Sequence, residues 1–247
     1  MQNLHVGTIG WSYAFWKGVF YPQKAASKDF LNYYSSKFNT VEVDSTFYRI
    51  PNQQTVTNWT KRTPDGFLFS LKFPSLITHI KMLKNCKSET NAFLEKVVLL
   101  KQKLGCLLLQ FPPAFGAKQF PFLISFLQDL PKEYRYVVEV RNKELLNKEF
   151  FSALKSQKVA WAWVDSPNMP LVDEVTSDFL YIRLEGDRSK IKGTLGKIEA
   201  DTTNSLQVWA DKIRPFLFNQ MEVFSYFGKY YSGYPPSDVD LLESYLA

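Results

Sequence analysis

Val138-Glu-Val-Arg141 and Tyr181-Ile-Arg-Leu-Glu-Gly186 alternate branched apolar residues with charged ones inside runs too short for a helix. Alternation with a period of two marks a strand, because successive side chains leave on opposite faces. Val138, Val140, Ile182 and Leu184 then cover one face, with Glu139, Arg141, Arg183 and Glu185 on the other. The parity recurs elsewhere: Val41 and Val43 alternate with Glu42 and Asp44, Leu71 precedes Lys72, Leu109 precedes Gln110, and Val164 precedes Asp165. In each run the polar member lies toward the C-terminal end.

Working outward, strand-like runs read at Val6–Trp11, Thr40–Ser45, Phe67–Phe73, Cys106–Phe111, Tyr136–Arg141, Val159–Asp165, Phe179–Glu185 and Glu222–Phe227. Their spacing of about 31 residues, with helical patterns in most gaps, is the alternation of a parallel sheet covered by helices. Ser88, Glu89 and the stripe Phe93, Leu94, Val97 and Leu104 predict a capped helix ending at Gly105, and Asn204–Phe218 predicts another. Two prolines break Ser166–Pro170 after the sixth run, which predicts a degenerate sixth helix. The fold class that results is α/β, a (β/α)8 TIM-type barrel formed by residues 1–247 as one domain.

In such a barrel one strand face meets the helices and the other fills the interior, which is normally packed with branched apolar side chains. Charges there are costly unless paired. The inward set of Glu42, Asp44, Lys72, Gln110, Glu139, Arg141, Asp165, Arg183 and Glu185 therefore predicts a polar pocket at the end where barrel enzymes carry their sites. A closed ion-pair network that only fixes strand register is the alternative.

Composition narrows the partners. The 247 residues are 45% hydrophobic and contain no apolar run of membrane-spanning length, so no membrane partner is expected. Met1–Gly7 shows no signal pattern, and the chain reads as cytoplasmic. Two cysteines without a CxxC and two histidines offer no zinc set, so a metal-independent protein without cofactors is expected. The formal charge of +6 favours anionic partners, a small anionic ligand or nucleic acid.

Several residues stand out singly. His79, after the third run, is the natural proton-transfer group if its environment holds the pKa near neutrality, or else holds its own loop through a hydrogen bond. Arg49 can fork onto an anion beside Tyr48, which can stack on a ring, or can merely tie down its own loop. Arg188, Lys190 and Lys192, with Lys229 after the eighth run, occupy the loops with which many barrels bind phosphate, or form a merely solvated basic surface. Trp11, Tyr13, Trp163 and Tyr226 can line a pocket or simply pack.

Gly7-Thr-Ile-Gly-Trp-Ser-Tyr13, Thr40-Val-Glu-Val-Asp-Ser-Thr-Phe-Tyr-Arg49, Ile77-Thr-His79, Leu108-Leu-Gln-Phe-Pro-Pro113, Val138-Glu-Val-Arg141 and Tyr181-Ile-Arg-Leu-Glu-Gly186 resemble the successive motifs of the YecE-like family, a barrel family of unknown function. The resemblance continues to Tyr226-Phe-Gly228 and Pro235-Pro236. It implies the fold and the placement of these motifs but no reaction. Relative to that pattern, Asp44 replaces Asn, Glu185 replaces His, Gly228-Lys229 replaces Asn-Asn, and Asn142-Lys-Glu-Leu145 replaces His-x-Ser-Trp.

Together these readings predict an enzyme, a hydrolase, lyase or isomerase, for a small anionic or sugar-phosphate-like substrate. Glu42, Asp44, His79, Glu139, Asp165 and Glu185 form the acid and base pool; Trp11, Tyr13, Tyr48, Arg49, Lys72, Gln110, Arg141, Trp163, Arg183, Tyr226 and Lys229 are the binding set. The rival is a non-catalytic nucleic-acid-binding protein.

Overall fold

A computed structural model describes residues 3–247. The strands are β1 (Leu4–Thr8), β2 (Thr40–Val43), β3 (Leu68–Lys72), β4 (Leu104–Gln110), β5 (Arg135–Glu139), β6 (Ala160–Asp165), β7 (Phe179–Gly186) and β8 (Glu222–Tyr230). They form one sheet in the order β1-β8-β7-β6-β5-β4-β3-β2, all neighbours parallel, as the TIM-type reading requires. Around it lie α1 (Phe30–Ser35), α2 (Gln53–Lys61), α3 (Lys87–Val97), α4 (Phe120–Asp129), α5 (Lys148–Ser156), α6 (Thr203–Phe218) and α7 (Pro235–Leu246).

The ring closes between β1 and β2 with very little ladder. Ile9 and Glu42 form a single bridge, and the Gly10 amide donates to the Glu42 carbonyl at 2.8 Å. Side chains supply the rest: the Tyr34 hydroxyl accepts from the Thr8 amide at 2.8 Å and donates to the Thr40 carbonyl at 3.1 Å, and Asn39 donates to the Leu4 carbonyl at 2.8 Å. Gly7 permits this approach, because a Cβ there would lie 2.1 Å from the Thr40 oxygen.

No α-helix joins β6 to β7, so the sixth unit is degenerate as its prolines predict. The connecting segment runs against the outer face of β6, where the Trp161 and Trp163 indoles donate to the Val172 and Glu174 carbonyls, both at 2.9 Å. These bonds satisfy backbone acceptors that a helix would have satisfied internally.

Inward-facing side chains stack in layers. Cys106, Leu108, Val137, Ala160, Ala162, Phe179, Tyr181, Phe224 and Tyr226 form a buried apolar core inside the barrel, and the larger apolar shell lies between strands and helices. The charged residues sit above that plug, at the strands' C-terminal ends.

Most boundaries shift by a few residues: β2 ends at Val43, leaving Asp44 to open a 3-10 turn, and β8 runs on to Tyr230. β1 starts at Leu4 and ends at Thr8, because Gly10, at φ +78°, turns the chain away. β5 stops at Glu139, leaving Arg141 beyond the strand. The helix expected from Ser88 to Gly105 ends at Val97; a short 3-10 segment follows, Leu104 and Gly105 open β4, and the Ser88 side chain makes no cap. No helix among the described residues is long and apolar enough to cross a membrane.

Candidate functional site

Arg183 occupies the centre of the barrel's C-terminal end, and three carboxylates converge on it. Its Nε and Nη2 donate to Glu42 Oε2 and Oε1, both at 2.9 Å, while Nη1 donates to Glu139 Oε2 at 2.5 Å and to Glu185 Oε1. A forked pairing of this kind fixes both position and orientation. The remaining acceptors are filled as well: Tyr181 donates to Glu42 at 2.8 Å and Gln110 donates to Glu139 at 2.6 Å. Glu42, Glu139 and Arg183 are at most 2% exposed.

Electrostatics follow from this geometry. Burial works against a charge on Arg183, but Glu139, Glu42 and Glu185 outweigh it and hold the guanidinium pKa well above its ordinary value. Burial likewise pushes the Glu139 carboxyl up, and Arg183 and then Arg141 pull it down to about 2. Each buried charge has a partner, so this layer matches the closed ion-pair network more than an open well, and only a small cavity bordered by Glu139, Arg141 and Glu185 reaches it.

Openness is confined to the rim. Arg141 Nη2 donates to Glu185 Oε1 and Oε2 at 3.0 and 3.2 Å, and its Nε donates to Glu139 at 3.2 Å, yet its side chain is 35% exposed. Across the mouth Lys72, itself buried at 7% exposure, pairs its Nζ with the more open Asp44 at 3.2 Å and lies 4.2 Å from the centre of the Phe47 ring. His79 meets the same ring edge-on at 4.8 Å, and its Nδ1 lies 2.9 Å from Thr78 Oγ1. Partial burial, then the charges of Lys72 and Arg141, lower the imidazole pKa to about 4 and keep it neutral. A small cavity of about 40 Å³ lies between Arg141, Glu185, Val164 and Met169.

Other expected residues lie elsewhere. Asp165 points outward and accepts from Trp209 of α6 at 3.0 Å, while Val164 takes the inward place. Trp163 packs outside against Phe216, so β6 has the parity opposite to that expected. The reason is steric: Ala160 and Ala162 leave room for Phe179, Tyr181, Phe224 and Tyr226 within the barrel, and the tryptophans fill the wider outer shell. Tyr226 lies in the barrel's inner core. Fully buried, its hydroxyl lies 2.8 Å from both Thr40 and Ser70.

Trp11 packs outside on Trp59 and Phe69, and Gln110 commits its amide to Glu139 in the floor. Tyr13, half-buried, donates to the Ile9 carbonyl at 2.6 Å. Tyr48 is 78% exposed, Arg49 is exposed beside it, and neither reaches the charge cluster among the described contacts. In the loop after β7 the amides of Lys192 and Gly193 donate to the Glu199 carboxylate at 3.0 and 2.8 Å, so the chain's own carboxylate takes these donors. Lys229 and Arg188 each lie 5.0 Å from the centre of the Tyr230 ring.

Two participants were absent from the sequence reading. Tyr181 shares the inward parity of Arg183 two residues on, a signal available in the sequence; Thr78, beside His79, carried none.

Comparison with known proteins agrees with the architecture. A family model described as protein of unknown function DUF72 matches residues 5–247. UPF0759 protein YecE of Escherichia coli K12 is 33% identical over 145 residues, 59% of this chain and 51% of YecE; UPF0759 protein YunF of Bacillus subtilis 168 is 29% identical over 176 residues, 66% and 59% of the two chains. The matched stretches thus span between half and three-fifths of these relatives' length. Crystal structures of DUF72 family proteins from Thermotoga maritima and Enterococcus faecalis superpose with TM-scores of 0.78 and 0.76 at 24% and 22% identity, covering 98% of this chain and 98% and 95% of theirs. With the model matching from the first strand to the last helix and the eight-stranded barrel in place, the chain belongs to the DUF72 family, the YecE-like proteins of unknown function.

Proposed function

We propose that the chain is an enzyme that transfers a proton on a small anionic, sugar-phosphate-like substrate held at the rim of the barrel. The observation that carries this reading is the half-buried His79 imidazole packed with Lys72 on the Phe47 ring above the paired floor, where burial and then the charges of Lys72 and Arg141 favour its neutral form. The two cations attract an anion and orient it, and an unprotonated imidazole can accept a proton without first losing one. Glu185, 17% exposed along its side chain and tied to both arginines, and Asp44, paired with Lys72, are the carboxylates within reach of the same mouth.

The floor's role in this reading is support. Glu42, Arg183 and Glu139 fix the strand ends from which Lys72, Arg141 and Glu185 project, so the rim cations hold their spacing without a ligand. A rigid platform of this kind lowers the reorganisation needed at the moment of reaction.

A panel of phosphorylated sugars and small carboxylates, monitored by proton NMR for turnover, tests the proposal. One member of the panel is consumed, and His79→Asn lowers its rate by about 100-fold or more, the usual contribution of a positioned acid or base. Equal rates in wild type and His79→Asn, or a panel that neither reacts nor raises the melting temperature, contradict it.

A further inference from the structure

At the opposite end of the barrel, a groove of about 530 Å³ is formed by the segments leading into β4, β5, β6 and β7. Lys101, Lys132, Arg135 and Lys158 line it against Glu133 and Asp178, an excess of cations in a concave surface. Barrel chemistry ordinarily sits at the other face, and lysines at this end have a simpler use, to offset the negative ends of the helices. Lys132 serves that use, donating to the Leu127 carbonyl of α4 at 2.7 Å and to Gln157 at 3.1 Å. Arg135 is paired with Glu222, which in turn faces His5.

Lys101 and Lys158 behave differently. Both side chains are exposed, and neither ammonium has a hydrogen-bond or ion-pair partner among the described residues. Both are held on left-handed backbone, at φ 53° and 54°, Lys101 with ψ −125°. Lys158 follows the last turn of α5, the position that glycine favours because it has no Cβ to clash. At two separate places, then, a strained residue delivers an uncommitted ammonium to the same groove. Strain of this kind concentrates where a side chain is held for a ligand.

We propose that this groove is a second anion site, which takes a phosphomonoester-type dianion between Lys101, Lys158 and Arg135. The site is independent of the rim. Its local reporter is His5, stacked on Phe224 at 4.6 Å and connected to Arg135 through Glu222, whereas His79 reports on the rim.

The test is titration of inorganic phosphate, at constant ionic strength, into the full chain and its Lys101→Gly/Lys158→Gly variant, following the ring signals of both histidines. Glycine at both positions removes the ammonium and relieves the backbone, so the variant folds with an equal or higher melting temperature. The wild type shows a saturable shift of His5, and the variant loses about tenfold or more in affinity, as removal of charge-assisted contacts entails; Asp178→Asn tightens the same step. A His5 response of unchanged affinity in the glycine variant overturns the proposal. So does phosphate that shifts His79 alone, and so does a melting temperature that falls with no change in binding, the mark of lysines that only offset helix ends.

Discussion

Arg183 of β7 grips Glu42 of β2 with two parallel hydrogen bonds of 2.9 Å, joining strands that lie far apart in the sheet order. The pair works as a strut across the mouth, and Glu139 and Glu185 brace it from β5 and β7. Three carboxylates around one guanidinium leave a net negative centre; Arg141 and Lys72 offset part of it, and Asp44, paired with Lys72, adds a fourth carboxylate. Removing one member of such a set costs far more than the pairing itself contributes, because the charge left behind stays buried.

Glu139→Gln follows from this directly. The substitution leaves the buried Arg183 short of one of its three carboxylates, and a loss of about 3–5 kcal/mol in unfolding free energy is expected. Denaturant unfolding at an unchanged m-value measures it. An open, solvated pocket at this position would change stability by less than about 1 kcal/mol, and that result would contradict the closed ion-pair network.

The β1–β2 seam is equally exposed to one atom. Gly7→Ala places a methyl against the Thr40 carbonyl, whose oxygen is 2.1 Å from the ideal Cβ position, so the backbones must separate and the Tyr34 bridge must stretch. A loss of about 1–3 kcal/mol or more is expected from overpacking of this kind. Faster hydrogen exchange at the Thr8 and Gly10 amides in the variant checks that the seam is what yields.

Asp238 sets a pH dependence away from the mouth. Burial raises its pKa to about 7, although Ser232 at 2.5 Å and Thr202 at 2.9 Å donate to it. Between pH 4 and 7 the folded chain therefore keeps a proton that the unfolded chain has lost, and this group's contribution makes stability fall as pH rises through that window, by at most about 1.4 kcal/mol per unit. His79, with its pKa lowered to about 4, contributes the opposite slope from about pH 6.5 downward. The difference between wild type and Asp238→Asn isolates the aspartate: it grows from pH 4 to 7 in favour of the variant and is flat above. A difference independent of pH would show that Asp238 is ionised throughout.

Alternation made most of this architecture legible. Val138-Glu-Val-Arg141 and Tyr181-Ile-Arg-Leu-Glu185 place their charges where hydrophobic periodicity assigns them, and the prolines of Ser166–Pro170 forecast the missing helix. The Ala160-Trp-Ala-Trp163 stretch of β6 misled because alanine and tryptophan are both apolar, so hydropathy alone cannot orient the strand; the volume left inside by Tyr181 and Phe224 decides it. Nor did the sequence reveal that the charges are mutually saturated, or that Glu199 takes the amide donors after β7. Both are pairings across the fold, which one-dimensional spacing does not encode.

NMR titration of the His79 imidazole with and without phosphate shows whether the rim holds a neutral imidazole that responds to an anion at Lys72 and Arg141. The account predicts a pKa of about 4 in the free protein and a marked rise at saturating phosphate, because an anion beside Lys72 and Arg141 favours the imidazolium; Arg141→Ala weakens that coupling. An imidazole that titrates at its ordinary value of about 6.5 and ignores phosphate would contradict it.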